Sequence, residues 1–283
     1  MFRMSKNDRR FPAVADVVVM LLLFLLVQVV VGVVLRFFGI AVPDELPYDT
    51  TDIESYVSYQ VLLGERVAII YPTSMILALA AVWFYTRIRG GKGLKIRMST
   101  AGLNPNIILA GTLWVLSAQV LLEPLSMMLP GGENSGVGRG LWACVTALIV
   151  APVLEELLCR GVVLESVRRC WGSKVAVVVS ALFFGLIHVE PATTVVAVVV
   201  GAILGVIYLR TASLYSVICI HSINNAAALA LIYIGIGGDT LYDVVGGGVT
   251  YYIIYAVAAL IFALMTAETA RLVLRKREKK LNE

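Results

Sequence analysis

Histidine occurs only twice in this chain of 283 residues, cysteine four times, and charged side chains make up just 15% of it. The shortage of charge, set against 59% hydrophobic residues and a mean hydropathy of +0.89, excludes an ordinary soluble domain, in which about a quarter of the residues are charged. The chain reads as a polytopic membrane protein. Cys144, Cys159, Cys170 and Cys219 fall in apolar runs or beside basic residues, and the cytoplasmic side keeps thiols reduced, so no disulfide framework is expected. Several protease signatures are missing too. There is no serine motif of the GxSG kind and no HExxH zinc motif. Tyr242–Asp243 and Gly238–Asp239 imitate the two motifs of membrane aspartyl proteases, but they share one turn and lack the glycine spacing. The basic residues carry no nucleic-acid recognition motif.

What is present in quantity is apolar sequence. Runs of about 17 to 25 mainly apolar residues can cross the hydrocarbon core as helices, and eight are found, at 13–41, 66–88, 107–129, 138–168, 173–189, 191–209, 212–236 and 249–274. The expected fold is an all-α bundle of about eight transmembrane helices. It divides into 1–137, with three spans and their loops, and 138–283, with the tightly connected core and a last helix. MFRMSKNDRR precedes the first run as the basic part of a signal peptide would, but Val14 to Val34 is too long for such a peptide's apolar region, so the run is expected to stay as an anchor.

Arg3, Lys6, Arg9, Arg10, Arg87, Arg89, Lys92, Lys95, Arg97, Arg168, Arg169, Lys174, Arg210, Arg271 and the basic tail from Arg275 to Lys280 all fall on one side of this alternation. The positive-inside rule makes that side cytoplasmic, and both termini with it. The expected compartment is the plasma (inner) membrane of a prokaryote. Residues 43–66 form an acidic external loop with room for a short amphipathic helix, and 89–106 a basic cytoplasmic loop that sets orientation.

Against this background the stretch LWACVTALIVAPVLEELLCRGVVLE is anomalous. It holds Glu155, Glu156 and Arg160 where each charge costs about 2.5 to 3.5 kcal/mol to insert. Glu156 and Arg160 are four apart, in the order that favours an ion pair on a helix. Glu155 is turned about 100° away from Glu156, so one glutamate is neutralised and the other is left available. Both histidines lie in spans as well: His188 shares a face with Phe184, and His221 with Asn225. The fourth and fifth spans form a hairpin with its turn near Trp171 and Gly172, which puts Glu155 and His188 at similar depth and lets them meet. His221, about ten residues from Arg210, is expected somewhat nearer the cytoplasm. A buried carboxylate near two imidazoles and an amide suits amide hydrolysis, with the free glutamate as general base on water and the His and Asn groups stabilising the oxyanion.

EExxxR at Glu155 to Arg160, FxxxH at Phe184 to His188 and HxxxN at His221 to Asn225, in that order on separate spans, resemble the CPBP family of type II CAAX prenyl proteases and bacteriocin-processing or immunity proteins. The resemblance covers about 140–230; the first three spans and the eighth match only in hydropathy and number. It implies a membrane-embedded cavity with Glu155 activating water, His188 assisting, His221 and Asn225 as the oxyanion site, and Glu156, Arg160 and Phe184 in support. No cofactor is expected. A zinc ion held by Glu155, His188 and His221 with an open position for water is the alternative. A cysteine mechanism through Cys159, a non-catalytic immunity or binding protein, and a proton-relay or transport role are further alternatives. The expected partners are membrane lipid and a membrane-associated or lipidated peptide or protein substrate, processed as a CAAX end or as a leader or sorting signal.

Overall fold

The computed structural model describes residues 11–42, 53–90, 95–130, 137–236 and 239–281, with side chains up to 271. The basic residues up to Arg10, the acidic positions Asp44, Glu45, Asp49 and Asp52, and Lys92, Glu133 and Gly238 lie outside the described residues. Among those described, seven helices are long and apolar enough to cross a membrane. They are α1 Val14–Phe37, α2 Ile53–Ile88, α3 Pro105–Ser126, α4 Leu141–Leu186, α5 Pro191–Thr211, α6 Leu214–Tyr233 and α7 Gly248–Leu281.

Seven is one fewer than the apolar runs, because α4 joins the fourth and fifth through a break at Gly172, where φ is 78° and ψ is 173°. That backbone conformation is open essentially to glycine alone. A Cβ placed there would meet nothing within 4 Å, so the demand is conformational, not steric. The limbs fold back on each other: Ser180 donates its hydroxyl hydrogen to the Cys159 carbonyl at 2.8 Å.

The expected boundary of the second span is corrected. Instead of starting near 66, α2 begins at Ile53, because Glu54, Gln60, Glu65 and Arg66 are spaced among apolar residues that continue the helix. One end of α2 is fixed to the start of α4. Arg139 N–H donates to the Gln60 carbonyl at 2.8 Å, and Gly138, with φ of 70°, lies so close to Gly64 that a Cβ would come within 2.3 Å of its backbone nitrogen. Toward the other end, Tyr85 and Arg89 bond the buried Asp16 of α1 at 2.7 and 2.8 Å.

The second limb of α4 packs closely on α5 through small residues, as membrane helices do when backbones must approach. A Cβ on Gly185 would reach the Thr194 carbonyl oxygen at 2.8 Å, and one on Gly201 would press on Phe184 at 3.1 Å. The basic loop does more than orient the chain. Its residues 97–99 lie on the α5–α6 corner, where Ser99 N–H bonds the Ala212 carbonyl, Leu214 N–H bonds that of Arg97, and Met98 bridges Ser213. Arg97 and Arg168 both pair with the buried Glu165, at 2.8 and 2.7 Å.

Candidate active site

Glu155 and Glu156 end a short α-helical stretch, Ala151–Glu156, that is flanked by π-helical turns at Thr146–Val150 and Leu157–Leu164. A π turn shifts each hydrogen bond one residue further along, and such turns recur at functional sites. Here Ala151 N–H bonds the Thr146 carbonyl. The next bond in that register would run from residue 152 to Ala147, but residue 152 is proline and has no N–H to give. The Asn225 side chain supplies it instead, its Nδ2 donating to the Ala147 carbonyl at 2.9 Å. One of the two Asn225 amide hydrogens is thereby used and the other remains.

The carboxylates are buried: Glu156 and Arg160 are 0% exposed and Glu155 is 7%. Arg160 Nη1 donates to Glu156 Oε1 at 2.8 Å, its Nη2 donates to the Gly201 carbonyl at 2.9 Å, and its guanidinium lies 4.7 Å from the centre of the Phe184 ring. The ion pair expected from the four-residue spacing is therefore formed. His221 reaches both glutamates. Its Nδ1 is 3.0 Å from Glu156 Oε1 and its Nε2 is 3.7 Å from Glu155 Oε2. A carboxylate oxygen that accepts from Arg160 requires a donor at Nδ1, so in the neutral ring Nε2 is an acceptor. Two acceptors then face one another across a gap too long for a direct hydrogen bond.

His188 does not make the contact expected of it. The hairpin sets Ser180 opposite Cys159, so the residue level with Glu155 is Phe184, and His188 comes one helical turn later. It lies just past the end of α4, with Nδ1 2.7 Å from the Phe184 carbonyl. Its ring is 4.9 Å from that of Phe184, and the His221 ring is 5.6 Å from Phe184. Both imidazoles thus pack on one phenylalanine. His188 also precedes a tight corner: Glu190 N–H bonds the His188 carbonyl at 2.7 Å, and Val189 between them has φ of 64°, a strained value for a β-branched residue.

Three contacts to the site come from residues that the motifs do not include. Tyr71 of α2 donates its hydroxyl hydrogen to Glu155 Oε1, while Glu155 Oε2 has no hydrogen-bond partner. Gln119 of α3 donates to Asn224 Oδ1, and Asn224 Nδ2 donates to Asn225 Oδ1 at 3.4 Å. The amides of Gln119 and Asn224 carry a usable signal, since polar residues inside spans are rare and functional by default. Tyr71 carries none, because tyrosines are common near membrane boundaries.

Among the described residues no three His, Cys, Asp or Glu side chains converge as a metal site. Glu155 and His221 are near one another, while His188 bonds the Phe184 carbonyl of its own helix through Nδ1. Residues 137–227 match the family model for Type II CAAX prenyl endopeptidase Rce1-like. No curated protein and no solved structure matches the chain. The matched segment spans α4, α5 and most of α6 and holds every motif residue, whereas Tyr71 and Gln119 lie outside it. That segment, about a third of the chain, is thus similar to the Rce1-like type II CAAX prenyl endopeptidases, and the match supports a membrane protease of the CPBP family.

Proposed function

We propose that the protein hydrolyses a peptide bond of a lipid-modified or membrane-anchored protein within the bilayer, using water activated by Glu155 and no metal. The observation that carries this reading is the buried Glu155 Oε2, free of hydrogen bonds and 3.7 Å from His221 Nε2. A water molecule donating to both acceptors has its lone pairs directed away from them, toward a carbonyl carbon. On attack Glu155 takes one proton from the water and returns it to the amine as the C–N bond breaks, so the step balances within the site. Glu156, itself neutralised by Arg160, keeps His221 in one tautomer and one orientation. The remaining Asn225 amide hydrogen serves the oxyanion. His188, whose Nδ1–H is spent on the Phe184 carbonyl, offers Nε2 as an acceptor for a substrate N–H.

The family match supports a CAAX-type substrate, a prenylated C-terminal peptide; processing of a leader or sorting signal is the other substrate class. The test uses purified protein in liposomes with a fluorogenic farnesylated peptide ending in a CaaX sequence. The parent chain is expected to cleave it and Glu155→Ala to lose at least about a hundredfold in rate while inserting normally. Failure of the parent to cleave, or full cleavage by Glu155→Ala, overturns the reading. Rates are expected to survive chelation. Stoichiometric zinc, with activity lost on its removal and regained on its return, would replace the metal-free step.

A further inference from the structure

We infer that Tyr71, on α2 and outside the matched segment, is a positioning residue for hydrolysis: its hydroxyl engages one oxygen of Glu155 and thereby commits the other to water. The inference rests on the proposed role of Glu155 as base. Tyr71 donates to Oε1, and Oε2 is the oxygen left without a partner. A carboxylate free to rotate need not keep an oxygen facing His221 Nε2, which lies 3.7 Å from Oε2. Holding Oε1 from α2 fixes that separation, across which a single water can donate to both acceptors.

The local sequence fixes Tyr71 in this role. Pro72 follows it and deprives the Ala68 carbonyl of its helical donor, which bends a helix at that turn. The Ser74 hydroxyl donates to the Tyr71 carbonyl at 3.0 Å and secures the same turn. Two turns earlier Gly64 is locked against Gly138 at the start of α4, so the height of Tyr71 relative to Glu155 is set by backbone packing. α2 thereby contributes to chemistry whose motifs all lie on α4 and α6.

Tyr71 is half-buried and also packs against the hydrophobic core, and a packing role alone makes Phe an equivalent residue. Tyr71→Phe separates the two roles because it removes only the hydroxyl. With the same farnesylated reporter in liposomes, the variant is expected to lose roughly ten- to hundredfold in kcat, the rate equivalent of one hydrogen bond to a charged group. KM should stay within about twofold of the parent's, and the thermal unfolding midpoint should be unchanged. A kcat equal to the parent's overturns the inference, as does a loss confined to KM or one that follows a lowered unfolding midpoint. If Glu155→Ala cleaves like the parent, the reading of the base falls. If Glu155→Ala is inactive while Tyr71→Phe keeps the parent's kcat, only the role of Tyr71 falls.

Discussion

The Glu156–Arg160 pair has a testable asymmetry. Both side chains are fully buried, and Glu156 Oε1 accepts from Arg160 and His221 together. Replacing one member of a buried pair leaves the other as an uncompensated charge, which costs about 3 to 5 kcal/mol, whereas replacing both with apolar groups of similar volume is often close to neutral. Arg160→Met alone is therefore expected to lower the thermal unfolding midpoint sharply in detergent, and Glu156→Leu/Arg160→Met to recover most of the loss. Equal midpoints for Arg160→Met and the parent would show that the pair does not hold the first limb of α4 against α5. The sequence made this pair legible because both partners sit on one helix at a fixed spacing. His221 could not be placed in the same way: its contact with Glu155 and Glu156 depends on how α6 lies against α4, which no spacing within one helix encodes.

At the scale of the element, the hairpin of α4 was legible from the basic residues at its turn, but its register was not. The expectation that Glu155 stands level with His188 assumes a turn centred between Trp171 and Gly172, whereas the bond from Ser180 to the Cys159 carbonyl centres the register between Arg169 and Cys170 and so brings Phe184 to that level. The π turns on either side of Glu155 were also outside any 3.6-residue reading, although Pro152 and the intramembrane Asn225 are the two residues that explain one of them. Gly172 gives the hairpin a sharp prediction with a built-in control. Gly172→Ala forces an alanine into a conformation at φ 78°, ψ 173°, at a cost of about 1 to 3 kcal/mol, even though the space around it is open. Gly32→Ala, inside helix α1 and equally open, should move stability the other way by up to about 1 kcal/mol. Unfolding midpoints of the two variants in the same detergent are expected to fall on opposite sides of the parent's. A neutral Gly172→Ala would mean that the limbs turn without needing the positive φ.

For the molecule as a whole, hydropathy was enough to define a helical membrane bundle, and the three motifs were enough to name most of the residues that the candidate site brings together. What they could not reach is the contribution of the first three helices. Tyr71 and Gln119 bond Glu155 and Asn224, and these contacts arise only when α2 and α3 close around α4 and α6. Orientation in the bilayer follows from a different kind of pattern, the side on which Lys and Arg gather, and we propose on that basis that the α4 turn and both termini face the cytoplasm. Cys170 makes this measurable. It lies in the turn between Arg169 and Trp171, and of the four cysteines it alone is exposed, Cys159 being buried and Cys144 and Cys219 intermediate. A membrane-impermeant maleimide is therefore expected to label the protein in inverted membrane vesicles but not in right-side-out ones, and Cys170→Ser should abolish that labelling. Labelling confined to right-side-out vesicles would invert the topology. It would also put the α4 turn, the docked 97–99 loop and the Arg97–Glu165–Arg168 cluster on the external face, where a positive-inside chain does not carry its arginines.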